Sequence, residues 1–115
     1  VRFWDSSALL AVLGYEARGR ELAGLLGDDP RGMIWLLTPV ELRSGLARDV
    51  RSGAIDPAER EILWEDFEAM RRSFSEVDAV SSVRDRAQRL LDAHPLRAGD
   101  ALQLAAAIVG AAGRP

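Results

Sequence analysis

Val1-Arg2-Phe3-Trp4-Asp5-Ser6-Ser7-Ala8-Leu9-Leu10 is the stretch on which the fold turns. An apolar run ends in a carboxylate, two serines follow, and an apolar helix begins. Serine and aspartate at that junction are helix-capping residues. The pattern predicts a short buried strand over about 1–5 and a helix over about 7–13. In open α/β sheets, ligands bind just beyond the carboxyl ends of the strands, and Asp5 stands at that place. A second stretch repeats the layout. Met33-Ile34-Trp35-Leu36-Leu37 is apolar, and Thr38-Pro39-Val40-Glu41 opens a helix. Two acidic residues after two candidate strands suggest a metal-dependent site.

Working outward, the spacing predicts a helix over about 16–26, with Leu22, Leu25 and Leu26 on one face. Gly27 to Gly32 holds the turn residues of a loop. A strand over 33–37 leads into a helix from Pro39 to about Arg51, with Leu42, Leu46 and Val50 four apart. Ser52-Gly53 break it. Asp56, Pro57 and Glu59 form a helix start: acidic cap, proline first, glutamate third. That helix is expected to reach Ser73, with Leu63, Phe67, Met70 and Phe74 on its apolar face. Residues 76–80 alternate polar and apolar, as an edge strand does. Helices over 82–93 and 99–112 are separated by His94-Pro95. Strands alternating with helices argue for an α/β fold with a parallel sheet.

The chain has 115 residues, 48% of them hydrophobic. That is one globular domain with a real core. There is no cysteine and a single histidine, His94. Disulfides, thiolate metal sites, histidine-rich metal sites and a Ser-His-Asp triad are therefore set aside. A cytoplasmic location is expected. Asp5 interrupts the N-terminus before a signal-peptide core can form. The most apolar stretch, Ala101 to Ala112, is too short to span a bilayer. Net charge is −3, so no global field draws the chain to nucleic acid. All fifteen basic residues are arginine. Codon bias explains that most simply, and an arginine-lined RNA groove is compatible with it.

Each acidic candidate has a local explanation beside the catalytic one. Asp5 can serve as a helix cap. Thr38 to Glu41 spells T-x-x-E, a capping box in which the glutamate bonds back to the cap amide. Asp100, in the first turn of a helix, gains from the macrodipole. Taken together the three point further. Residues 101–109 are apolar nearly all round, so that helix is buried and draws its N-terminus inward. A partly buried carboxylate needs a partner, few basic residues lie near it in sequence, and a divalent cation fits. Asp78, near the third strand, lacks the helical context of the others. Asp28 and Asp29 read as a solvated turn, and Glu59, Glu61, Glu65 and Glu68 as a solvent-facing surface. His94 reads as a helix-terminal surface residue. Ser6 and Ser7 have no nearby base and are not read as nucleophiles.

Three segments resemble the PIN domain, and specifically the VapC ribonuclease toxins of bacterial toxin–antitoxin modules. They are Trp4 to Leu10, Thr38 to Leu46, and Leu96-Arg97-Ala98-Gly99-Asp100-Ala101-Leu102-Gln103-Leu104-Ala105-Ala106-Ala107, the last being the most specific. The resemblance implies a PIN-like three-layer fold, a short parallel sheet flanked by helices. It implies an endoribonuclease whose acidic residues hold Mg²⁺ or Mn²⁺. Asp5, Glu41 and Asp100 match the first three acidic positions, with Asp5 and Asp100 as direct ligands and Glu41 ligating directly, through water, or by orienting the attacking water. Hard divalent cations prefer such oxygen ligands. The resemblance also implies an RNA substrate, a cognate antitoxin whose arginine or lysine reaches the carboxylates, and a homodimer.

One departure stands out. Family members continue into a further strand and a fourth acidic position, whereas this sequence stops at Gly113-Arg114-Pro115. The expected fold therefore lacks its C-terminal strand and leaves the first strand with an open apolar edge. The first residue is Val, which points to a trimmed or alternative start. Two other readings compete with the enzyme: a non-catalytic PIN-like module that binds RNA or protein without the fourth acid, and a small α/β domain whose three acids are all caps. Leu9, Leu10, Leu13, Leu22, Leu25 and Leu26 exceed what three strands need to cover, so the early helices are expected to expose apolar surface to a partner.

Overall fold

Gly32–Trp35 forms the central strand, and all four of its residues are buried. The structure, a computed structural model, describes residues 1–14 and 17–112. Strand side chains alternate between faces, so Met33 and Trp35 go to one core and Ile34 to the other. This strand is β2. On one side it pairs in parallel with β1, Arg2–Phe3, in the register Arg2↔Gly32 and Phe3↔Met33. On the other it pairs in parallel with β3, Phe74–Val77, from Gly32↔Phe74 to Trp35↔Val77. The sheet order is β1-β2-β3.

Helices α1 (Ser6–Leu13) and α2 (Ala17–Asp28) link β1 to β2, and α3 (Thr38–Ser52) and α4 (Pro57–Arg71) link β2 to β3. Strands added in one direction by connections of one hand place their helices on one face. There Trp4, Leu9, Leu13, Leu42 and Phe67 close around Ile34. The opposite face would stay wet without α5 (Val80–Ala93) and α6 (Ala98–Ala112), which follow β3. Val83 and Ala87 of α5, with Ala101, Ala105 and Ala106 of α6, pack on Met33, Trp35 and Val77. The result is helix, sheet, helix in three layers. Small side chains let α6 lie low on the sheet. At Gly110 a β-carbon would stand 2.6 Å from Met33 Sδ and 2.9 Å from Val77 Cγ2.

Strands and helices fall close to where periodicity puts them, with two differences. The third strand begins at Phe74 instead of 76, and α4 stops at Arg71. Phe74, expected on the helix face, opens β3. It pairs with Gly32, and its ring covers the space where Gly32 has no side chain, a β-carbon there lying 2.8 Å from it. The second difference concerns the early helices. Leu9 and Leu13 are fully interior, and Leu10, Leu22 and Leu26 pack against the same core, leaving only Leu25 of that set exposed. The surplus apolar surface expected on α1 and α2 is thus spent on packing these two helices against each other and the sheet. Exposed apolar groups lie instead at Val40 and Ile62, 66% and 60% accessible. Glu16, the expected start of α2, and Gly113 to Pro115 lie outside the described residues. Among the described residues no helix is long and apolar enough to cross a membrane.

Candidate active site

Parallel pairing brings the carboxyl ends of all three strands to one edge, and the residues that follow them stand together there. Asp5 stands two residues past the end of β1 and caps α1, its Oδ1 accepting from the Ala8 amide at 2.8 Å and from Ser7 Oγ at 3.1 Å. The capping reading of Asp5 is therefore physically realised. It does not use up the group, because Asp5 also lines a cleft of about 260 Å³ whose facing wall is α6. Asp100, Gln103 and Leu104 of α6 stand opposite Asp5, Ser6 and Ser7, with Phe3 and Ala107 completing the lining.

Glu41 stands just behind this cleft, in the first turn of α3. The T-x-x-E pattern predicts a capping box, and the structure has none. The helix cap is Leu37, with no side-chain cap bond. Both residues instead have tertiary partners. Glu41 Oε2 accepts from Ser6 Oγ at 3.3 Å, and the fully buried Thr38 accepts from Gln103 Nε2 at 3.1 Å through its hydroxyl. Glu41 Oε2 also lies 3.9 Å from where a β-carbon on Gly99 would stand, so it faces the start of α6.

The electrostatics follow from this crowding. Burial pushes the Glu41 carboxyl above the usual glutamate range. Hydrogen bonds from Gln103 and Ser6 pull it back in part, and the negative charges of Asp100 and Asp5 push it up again. Each of the three carboxylates named from the sequence thus borders this one region. They are not drawn into a closed ligand cage: among the described residues, no three acidic or histidine side chains stand close enough to grip one ion as placed. The donor set is nonetheless all oxygen, which suits a hard divalent cation. Mutual repulsion at Glu41 is also the kind of strain that a cation relieves. Asp78 follows β3 but lines a different cavity, with Met33, Val109 and Gly110.

Gln103 was not among the site residues that the sequence suggested. It is buried, lines the cleft and bonds across to α3, and its Oε1 has no partner among the described residues. One signal was available: a lone amide in an otherwise apolar helix, three residues after Asp100 and therefore on the same face.

A parallel α/β sheet with carboxylates gathered beyond its strand ends defines a class of ligand-binding α/β domains. The PIN domain model matches residues 2–112. The chain belongs to the PIN domain family. Two relatives are Ribonuclease VapC45 and Ribonuclease VapC49, from the CDC 1551 / Oshkosh and H37Rv strains of Mycobacterium tuberculosis. The match to each is 34% identical over 112 residues, covering 92% of this chain and 74% of the relative.

Proposed function

We propose that this protein is a ribonuclease of the toxin type, cutting RNA with Mg²⁺ or Mn²⁺ held by Asp5 and Asp100, with Glu41 beside them. The observation that carries the reading is the cleft with Asp5 on one wall and Asp100 on the other, and Glu41 under the influence of both charges. The ribonuclease names of the two mycobacterial relatives support the same substrate class. A bound ion would polarise the phosphate and make its attacking water more acidic. The rest falls to the chain. Asp5 is held rigid by its cap bonds. Asp100 rides on a buried helix and presents its exposed side chain to the same cleft. Glu41, beside both, orients the water. Phe3 and Leu104 give a base an apolar surface to rest on.

A cognate antitoxin and a homodimer belong to the same proposal. The antitoxin would place a basic side chain among the carboxylates, neutralising them and excluding RNA. Exposed Val40 and Ile62 offer apolar surface for protein partners. RNA as substrate makes the cytoplasm the place of action. The spread of the three carboxylates favours a second reading, a PIN-like module that binds RNA or protein without cutting it. RNA cleavage assayed with and without Mn²⁺, for wild type and Asp100→Asn, decides between them. Metal-dependent cleavage lost in the variant supports the enzyme. RNA bound and left intact under all conditions supports the binding module.

A further inference from the structure

Two pairs of residues, each spaced by one helical turn, meet across the junction of α3 and α6. On α3 they are Thr38 and Glu41, and on α6 Asp100 and Gln103. Residues three apart share a helix face. Thr38 meets Gln103, and Glu41 meets the Gly99–Asp100 end of α6. The two helices therefore run in opposite senses where they touch, and Gln103 sits at the crossing.

The Gln103 amide is placed to act on both members of the α3 pair. Its Nε2 donates to Thr38 Oγ1 at 3.1 Å, and the Glu41 carboxylate lies close enough to feel the same amide. An amide nitrogen carries two hydrogens, so while one holds Thr38 the other is left to face Glu41. Gln103 is only 7% exposed and Thr38 is fully buried. Breaking their bond leaves a buried polar group unmet, which is costly, so the amide is not free to swing. Its other end, Oε1, is buried without a partner among the described residues, beside the cleft that Asp5 and Asp100 line. If packing were the only requirement, an apolar side chain would fill this place without leaving an acceptor unmet.

We propose that Gln103 is a positioning residue of the carboxylate site: its bond to Thr38 pins the first turn of α3 to α6, so that the Glu41 carboxylate is held facing Asp5 and Asp100. This rests on the metal-site reading for its consequence, though not for its geometry. Groups that orient metal ligands commonly change metal affinity or activity by about 10–100-fold when removed.

The test uses the whole chain, wild type beside Gln103→Met, which keeps the length and removes the amide, and Thr38→Val, which keeps the shape and removes the anchor. Side-chain scalar couplings of Glu41, measured by NMR without metal, report whether it holds one rotamer. Mn²⁺ affinity is then measured by titration. The expected result is a folded Gln103→Met protein in which Glu41 averages over rotamers and Mn²⁺ binds about 10–100-fold more weakly. Thr38→Val should move both readouts the same way, less far, and it decides if Gln103→Met fails to fold. A single Glu41 rotamer with Mn²⁺ affinity at the wild-type level in the folded variants overturns the proposal. Asp100→Asn serves as the control for the functional reading. If it leaves Mn²⁺ binding intact, or if wild type binds none, that reading fails, and the Glu41 couplings still decide for or against Gln103.

Discussion

Asparagine caps a helix as well as aspartate does, so Asp5→Asn removes the charge and keeps the α1 cap. It should leave the urea midpoint nearly unchanged and lower ribonuclease activity by at least about 10²–10³, the usual scale for one oriented electrostatic group. Asp5→Ala should lose the same activity and about 1 kcal/mol of stability besides. If Asp5→Asn cleaves RNA at the wild-type rate, Asp5 is a cap and nothing more. Glu41 gives a prediction in pH. Its carboxyl is raised by burial first and by Asp100 and Asp5 after that, so the folded chain keeps this proton to a higher pH than the unfolded chain does. Between the ordinary glutamate value and the raised one, the native state binds more protons, and stability falls as pH rises through that window. Above it the full cost of the charge remains. Metal-free Glu41→Gln should therefore melt higher than wild type at neutral pH, and its advantage should vanish in acid. Melting curves that stay parallel from acid to neutral pH would remove the physical basis for the raised pKa.

The helix starts show what can be read locally. At Asp56 the capping pattern is realised in full: the Asp56 side chain accepts from the Glu59 amide at 2.8 Å, and Glu59 reaches back to the Asp56 amide at 3.4 Å. Among the described residues no tertiary partner competes there. Asp56→Ala should cost about 1 kcal/mol, seen as a lower urea midpoint with no change in any site property. The same kind of pattern at Thr38–Glu41 gives no box, because Gln103 and Ser6 offer bonds from other helices. Spacing within one helix does not reveal a competitor some sixty residues away. The α1–α2 pair has its own requirement. A β-carbon at Gly19 would lie 1.9 Å from the Ala11 carbonyl oxygen, a backbone atom with no room to yield. Gly19→Ala should push the two helices apart and cost about 1–3 kcal/mol, the usual range for overpacking. A melting temperature equal to wild type would show that the two helices do not approach so closely.

At the scale of the whole molecule, a cation held by Asp5 and Asp100, as proposed, would tie the first helix to the last. An ion that binds only the folded state adds about 2.7 kcal/mol at a hundredfold excess over its dissociation constant. Millimolar Mn²⁺ should therefore raise the melting temperature of wild type and leave Asp100→Asn where it was. Equal melts with and without Mn²⁺ and Mg²⁺ would argue against a metal site. The residues by themselves determined the order of strands and helices, because each element carries its own period. They determined that Asp5 and Glu41 follow strands, and that the Ala101–Ala112 helix, apolar nearly all round, packs into the fold. The resemblance of three segments to PIN domains was also legible, since those motifs are local and contiguous. The tertiary structure alone decided which strand lies in the middle, that Phe74 leaves its helix to cover Gly32, and that α1 and α2 spend their leucines on each other. It also decided that Ser6, Thr38 and Gln103 reach across three helices around Glu41. The reason is physical: periodicity records which face of an element is buried, whereas a hydrogen bond between elements depends on distances that exist only once the layers have closed.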